Sequence, residues 1–275
     1  MKHFLIHGRC IEHHNMPAVE CQIDDLLLVH GMTQSLADTD IVKNAPARML
    51  ASGVGDIVAK YLAICEWRIA HELIGEEYCP EIAEMVRQAM AKCMSNIQGL
   101  ANREPEAVAA VMEGLVITGI AMSYAGMSRP ASGVEHYFSH VWDMRGLEFG
   151  TKVDLHGIQC AVGTYIAAGL YEKVLAITPD EEKALAYAKA FDYSAWAEQL
   201  RIFLGTAADT MITLEEKEQK YSVAKHQARL QVILEKWDTL CQIIREEIPS
   251  QKEIADILEQ IDAPKTPAEI GIDCD

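Results

Sequence analysis

A histidine pair is the first feature of this sequence whose residue types and spacing could support chemistry. His136 and His140 are four residues apart, so on a helix both imidazoles point to the same face. Imidazoles at that spacing can share a metal, or one can bind the metal while the other transfers a proton. The alternative is a pair of structural histidines near a helix start, one capping the helix and one packed.

An aspartate that follows two glycines is the second such feature. Gly53 and Gly55 precede Asp56, and each glycine costs a helix about 1 kcal/mol relative to alanine. That cost is acceptable where the backbone must pass close to another group. Asp56 lies among apolar residues and has Lys60 as its i+4 neighbour, so the alternative is an ordinary ion pair on a helix surface.

His156, which precedes Gly157 at the start of an apolar segment, is the third feature. By itself it is typical of a buried, hydrogen-bonded histidine. Together, Asp56, His136 and His156 offer one carboxylate and two neutral imidazoles, a set that suits a catalytic metal with an open coordination position. The bound dication would stay net positive and stabilise an alkoxide, from which hydride leaves. These ligands accept zinc, ferrous iron or nickel.

Helices must position these residues. From residue 45 onward, apolar residues recur at three- and four-residue spacing, which predicts an all-α helical bundle. We expect helices over about 45–73, 80–99, 104–125, 135–144, 154–174, 179–190 and 250–262, and one long charged helix over 214–248. Thr178 is the predicted N-cap of the helix that Pro179 opens. We expect a short irregular or β segment over residues 1–45 and the helical metal-binding domain over residues 46–275.

Composition excludes several functions. The 24 basic and 41 acidic residues give a net charge of -17, and an acidic surface repels phosphate backbones, so nucleic-acid binding is not expected. We find no stretch of eighteen apolar residues and no signal pattern, and we therefore expect no membrane span. None of the eight cysteines forms a CxxC pair, which indicates buried reduced thiols in a cytoplasmic protein rather than a cysteine zinc site.

The run Arg-Pro-Ala-Ser-Gly-Val-Glu-His, within residues 128–144, resembles the signature of the sn-glycerol-1-phosphate dehydrogenase family. That family belongs with glycerol dehydrogenase, iron-containing alcohol dehydrogenase and dehydroquinate synthase. Residues 37–46, the Gly-Asp before Ile57, the His-Gly at the third feature and residues 266–271 fit the same family. The resemblance covers about residues 37–272 and implies a domain like the C-terminal domain of dehydroquinate synthase-like proteins.

This resemblance implies a metal-dependent, NAD(P)-linked interconversion of dihydroxyacetone phosphate and glycerol 1-phosphate. By matching positions, the metal ligands fall on Asp56, His136 and His156. His140 would lie close to the reacting carbon and the nicotinamide, and Lys60 would contact the substrate. The alternatives are a glycerol or other polyol dehydrogenase, a dehydroquinate synthase-like enzyme, and a catalytically inactive helical binding or assembly module.

The sequence departs from the family in one large respect. Family members begin with a nucleotide-binding α/β domain that carries a glycine-rich phosphate loop, and this sequence has neither G-x-G-x-x-G nor three consecutive glycines. We therefore expect a form shortened at both ends, whose residues 1–45 are a remnant of, or a link to, the nucleotide-binding domain. We expect this chain to bind a metal and a small phosphorylated polyol or ketone, but not NAD(P) by itself. A homo-oligomer or a separate nucleotide-binding subunit is the expected partner.

Overall fold

The computed structural model describes residues 38–272, and every regular element within that range is helical. The predicted all-α class is thereby confirmed for the described part of the chain. Most of the predicted irregular or β segment lies outside the described residues. Its last part contains a one-turn helix, α1 (Thr39–Val42), whose N-cap Asp38 accepts a hydrogen bond from the Asp40 N–H. The division of the chain at residue 45 stays a prediction.

The remaining helices follow one another with short connections. They are α2 (Ala47–Ile74), α3 (Pro80–Ala101), α4 (Pro105–Ala125), α5 (Val134–Phe149), α6 (His156–Leu175), α7 (Glu181–Ala190), α8 (Tyr193–Leu204), α9 (Ala208–Glu218), α10 (Val223–Glu235), α11 (Trp237–Glu247) and α12 (Gln251–Gln260), with 3-10 turns at Gly205–Ala207 and Pro267–Ile270.

Two predicted helix ends are wrong. α5 continues to Phe149 instead of ending near residue 144, and it stops at Gly150, whose φ of 69° is left-handed. The residue that caps α7 is Asp180 and not Thr178, because the Asp180 carboxylate accepts a hydrogen bond from the Lys183 N–H. A carboxylate at an N-cap also interacts favourably with the helix dipole.

The predicted long helix over residues 214–248 is also wrong, because the structure divides it into parts of α9, α10 and α11. Gln219 ends α9 in a left-handed conformation with φ 55°. The Ser222 side chain then caps α10 by accepting from the Lys225 N–H, and Lys236 separates α10 from α11. No glycine or proline marks these breaks, so the charged pattern predicts one continuous helix.

The main hydrophobic core lies between α2, α3, α4 and α6, with residues of α12 completing it. Within the described range one helix, α4, is long and apolar enough to cross a membrane by length and composition alone. It packs along α3 and against α2, and Val108 and Val111 belong to the core. The packing of α4 thus also accounts for its apolar composition, because a helix enclosed in a folded domain is apolar on most sides.

Glycines let three helices approach one another closely. A Cβ atom on Gly55 of α2 would lie 2.1 Å from the Gly157 carbonyl oxygen of α6, and one on Gly157 would lie 1.9 Å from the Ser52 carbonyl oxygen. Where α6 meets α5, a Cβ on Gly163 would lie 2.7 Å from the Glu135 carbonyl oxygen. α2, α5 and α6 carry the three predicted metal ligands, so these contacts bring the ligands to one junction.

Candidate metal centre

The structure places the three predicted metal ligands together in the interior. Oδ1 of Asp56 lies 3.8 Å from Nε2 of His136 and 3.9 Å from Nε2 of His156. The two imidazole centroids are 5.0 Å apart. Asp56 and His136 are buried, at 9% and 5% exposure. An oxygen and two nitrogens at these separations could reach one cation, so the residues present fit a divalent metal.

Two buried side chains orient the imidazoles. Oε1 of Glu135 lies 2.7 Å from Nδ1 of His136, and Oγ of Ser139 lies 2.9 Å from Nδ1 of His156. When Nδ1–H donates to these oxygens, each Nε2 keeps its lone pair for a metal. Hydrogen-bond partners of this kind hold metal-binding histidines in the required tautomer. Sequence analysis did not single out Glu135 or Ser139, although Ser139 follows His136 by three residues on the same helix face.

Burial keeps the imidazoles uncharged. The pKa of His136 is lowered to about 3, first because burial penalises the cation and second because the Lys60 ammonium is close. Burial, with a smaller contribution from His136, lowers the pKa of His140 to about 4. Only the neutral imidazole has a lone pair to offer a metal. The rings of His136 and His140 can therefore each offer a nitrogen lone pair near neutral pH.

Two carboxyl groups lie beneath the N-terminus of α5. Glu66 accepts hydrogen bonds from the Val134 N–H at 3.1 Å and from the Tyr171 hydroxyl at 2.9 Å. Burial raises the pKa of Glu135 to about 8. Burial and the adjacent Glu135 raise the pKa of Glu66 to about 7. These groups tie the first turn of α5, and hence His136, to the buried face of α2.

Lys60 lies inside the cluster rather than at the surface. Its Nζ donates a hydrogen bond to Oδ1 of Asp56 at 3.0 Å, and its side chain is 2% exposed. The alternative of a surface ion pair is therefore wrong. A buried ammonium needs a charged partner, and Asp56 supplies one while it faces the two histidines.

His140 lies one turn after His136 on α5. Its ring centroid is 6.3 Å from that of His136 and 6.4 Å from that of His156. Neither histidine of the pair caps α5, which begins after Gly133 without a side-chain cap. Nε2 of His140 is buried and has no hydrogen-bond partner among the described residues. A buried polar atom of this kind is usually satisfied by a water molecule, an ion or a ligand.

Cys160 is the cluster residue that sequence analysis left among the ordinary buried thiols. Its Sγ lies 3.1 Å from Nε2 of His156. The ligand atoms of Cys160, Asp56, His136 and His156 all lie within 4.8 Å of one another. The signal in the sequence was the i+4 spacing of Cys160 from His156, which places both on one face of α6.

Taken together, the fold and this cluster define an all-α domain with a candidate divalent-metal centre at the junction of three helices.

No family model matches the chain. Comparison with curated proteins does find relatives. The chain is 33% identical over 183 residues to the protein named glycerol-1-phosphate dehydrogenase, NAD(P)+, of Geobacillus thermodenitrificans, a match that covers 66% of this chain and 45% of the relative.

Archaeal proteins of the same name also match. Identity is 40% over 136 residues with the protein of Methanothermobacter thermautotrophicus and 41% over 136 residues with that of Thermococcus sibiricus, and each match covers 50% of this chain and 38% of the relative. These matches confirm that the chain is related to the glycerol-1-phosphate dehydrogenase family, as its motifs predict. The chain spans about half the length of the curated relatives it matches, or less.

Proposed function

We propose that this chain provides the metal-binding half of an NAD(P)-linked glycerol-1-phosphate dehydrogenase-like enzyme, which interconverts dihydroxyacetone phosphate and glycerol 1-phosphate. The observation that carries the proposal is the junction of Asp56, His136 and His156, three donors from separate helices within reach of one cation. The relatives named glycerol-1-phosphate dehydrogenase support the choice of reaction.

In this proposal Asp56, His136 and His156 hold a zinc, nickel or ferrous ion, whose chemical contribution is Lewis-acid polarisation of the substrate oxygen. Glu135 and Ser139 keep both Nε2 atoms directed to the ion by accepting hydrogen bonds from Nδ1–H. The tight packing of α2 against α6 holds the donors in place and excludes water, which strengthens every charge interaction inside the site.

His140 and Lys60 are the proposed catalytic residues. Nε2 of His140, which has no protein partner in the described part of the chain, would bond to the substrate or hold a proton for it. Its lowered pKa keeps the imidazole neutral, so that it can accept a proton near neutral pH. Lys60 would place a positive charge beside the substrate oxygen while it remains paired with Asp56.

The phosphate group of the substrate needs a nearby cation, and both basic candidates already have a carboxylate partner, Lys60 through one hydrogen bond to Asp56. Arg129 is a weak candidate, because its guanidinium makes two hydrogen bonds to Glu76 at 2.6 and 2.7 Å. Lys60 is the basic side chain that lies in the cluster itself. We therefore propose that Lys60, and not Arg129, offsets the negative charge of the substrate.

The nicotinamide cofactor is the part of the reaction that this chain is not expected to bind alone. A dinucleotide pyrophosphate requires a glycine-rich turn at a helix N-terminus, and a turn of that kind is the contribution we expect from a nucleotide-binding subunit or domain. We also propose a cytoplasmic location for the protein. The five cysteines of the described residues are free thiols, which is typical of a reducing compartment.

Calorimetric titration of the full chain, with and without zinc, tests the proposal. We expect dihydroxyacetone phosphate and glycerol 1-phosphate to bind the zinc-loaded chain and not the metal-free chain, and glycerol to bind much more weakly. His140→Gln should weaken phosphorylated ligands but keep the metal, whereas His226→Gln on α10 should change neither. In a parallel titration, NADH should not bind tightly and should not be oxidised by dihydroxyacetone phosphate.

Two of the alternative functions have their own outcome in this experiment. Equal binding of glycerol and of the phosphorylated ligands would favour a polyol dehydrogenase. A zinc-loaded chain that binds none of these ligands would favour a helical binding or assembly module. Zinc-dependent oxidation of NADH would show that the chain alone is a complete enzyme and would contradict the expectation for the cofactor.

A further inference from the structure

The thiol of Cys160 occupies an unusual place among the cysteines of the described residues. Cys93, for example, lies in the main core and donates to the Ala110 carbonyl oxygen at 3.0 Å. Cys160 is fully buried on α6, and its Sγ contacts Nε2 of His156, the nitrogen that also faces Asp56. Its sulfur therefore lies next to the candidate ligand atoms of the cluster.

The distances suit four ligands around one ion. Zinc bonds of about 2.0–2.3 Å in a tetrahedral site place ligand atoms about 3.3–3.7 Å apart. Oδ1 of Asp56 lies 3.8 and 3.9 Å from the two histidine Nε2 atoms, and Sγ of Cys160 lies 3.1 Å from that of His156. These three separations lie within a few tenths of an ångström of tetrahedral values, and the ligand atoms of all four residues lie within 4.8 Å of one another.

Without a metal the Cys160 thiol stays protonated, because burial and the nearby Asp56 and Glu135 raise its pKa well above the usual value, so a bound ion has to supply the stabilisation of a thiolate. Asp56 is already paired with the Lys60 ammonium, and imidazoles that bind a metal are neutral. These groups together carry no net charge, so a buried dication would be poorly compensated by them. A thiolate would add one negative charge directly at the ion, where the favourable Coulomb energy is largest.

We propose that Cys160, as a thiolate, is a fourth protein ligand of the ion held by Asp56, His136 and His156, and that the site therefore selects zinc and rests in a closed four-coordinate state. The inference rests on the proposed metal site. On binding, the S–H bond breaks, a metal–sulfur bond forms and the proton passes to solvent. Thiolate is a soft ligand, which disfavours hard cations such as magnesium and manganese.

A closed site has a consequence for the substrate. Catalytic zinc sites usually keep one position open, whereas four protein ligands are typical of structural sites. With Cys160 bound, a substrate oxygen must either enter as a fifth ligand or displace the sulfur. The thiolate would thus separate a stable resting state from the state that accepts substrate.

Cobalt(II) substitution of the full chain tests the proposal by spectroscopy, without reference to activity. We expect a sulfur-to-cobalt charge-transfer band in the near ultraviolet for the wild type and for Cys79→Ser, a control thiol outside the cluster. Cys160→Ser should lose that band but keep the visible cobalt bands, because Asp56 and the histidines still bind. Its affinity for zinc should fall by about tenfold or more, because even the loss of a ligand's hydrogen-bond partner costs about 10–100-fold in metal affinity.

X-ray absorption of the zinc-loaded wild type gives a measurement that needs no variant. One sulfur neighbour at about 2.3 Å from the zinc is expected. For the cobalt experiment, Cys160→Ala replaces Cys160→Ser if the serine variant does not fold. A metal-loaded wild type with only nitrogen and oxygen neighbours would overturn the role of Cys160 and leave the three-ligand site standing. A wild type that binds neither cobalt nor zinc would refute the metal site and the thiolate ligand together.

Discussion

The junction of α2, α5 and α6 differs sharply from the outer helices α7 to α10. Buried residues of α2 include Asp56 and Lys60 as well as its apolar side chains, and glycines bring its backbone against α6. By contrast, α7 contains no buried residue and α10 buries only Leu230. Both regions are helical, so helix content alone does not indicate where chemistry can occur.

Aromatic side chains help to join the outer helices. Phe191 stacks on Tyr221 with ring centroids 3.9 Å apart, and Trp196 lies 5.1 Å from Tyr221. Such contacts tolerate adjustment, because flexible side chains can repack. A site that needs donor atoms fixed to within a fraction of an ångström requires the other kind of packing, in which backbones meet and polar groups are fully enclosed.

The largest expected effect is on zinc binding, and it differs between a histidine of the junction and a histidine of the outer helices. His136→Ala should abolish stoichiometric zinc binding, because one of the two proposed imidazole ligands is lost, whereas His226→Ala on α10 should leave it unchanged. Elemental analysis after zinc loading and dialysis measures the metal content of each variant. Unchanged zinc in His136→Ala would contradict the ligand assignment.

The backbone contact between α2 and α6 provides the next comparison. Gly157→Ala should lower the free energy of unfolding by about 1–3 kcal/mol or more, because its Cβ would overlap the Ser52 carbonyl group, which cannot move aside easily. Gly169→Ala, on the same helix, would have to displace only the flexible Gln251 side-chain amide, which donates to the Tyr165 carbonyl oxygen, and a gain of about 1 kcal/mol in helix propensity offsets that cost. Denaturant unfolding followed by circular dichroism measures both.

Equal stability of the two alanine variants would show that α2 and α6 separate without cost. The junction would then resemble the outer helices, and the glycines would not be what fixes the position of the ligands.

The smallest expected effect is a pH dependence that arises from His140 in the metal-free chain. Its pKa in the folded state is about 4, below the ordinary 6.5, so the unfolded state takes up the proton first as the pH falls. The folded state therefore loses stability between pH 6.5 and about 4 and is unaffected above that range. Relative to the wild type, His140→Gln should gain up to about 2 kcal/mol between pH 7 and pH 5.

Unfolding free energies of both proteins at the two pH values measure this difference. Parallel pH profiles for the wild type and His140→Gln would mean that His140 is hydrated in the folded state and is not an enclosed proton acceptor.

The sequence alone predicted the helical class, and it singled out three residues that the structure brings together, for identifiable reasons. Helical periodicity is a local property, so the spacing of apolar residues predicts α2 to α6. Asp56, His136 and His156 were proposed as metal ligands because each stands beside a local marker: glycines for the first and third, and a second histidine for the second. Where local markers were absent, as at Gln219, the predicted helix over residues 214–248 was wrong.

Tertiary structure alone decided what surrounds those residues. Lys60 has the spacing of a surface partner for Asp56, and its burial follows only from the packing of other helices around α2. Glu135, Ser139 and Cys160 became part of the site because α5 and α6 meet at Gly163. Sequence periodicity identifies which residues share a helix face, but the distance between faces of different helices depends on long-range packing, and that distance determines which side chains can share one ion.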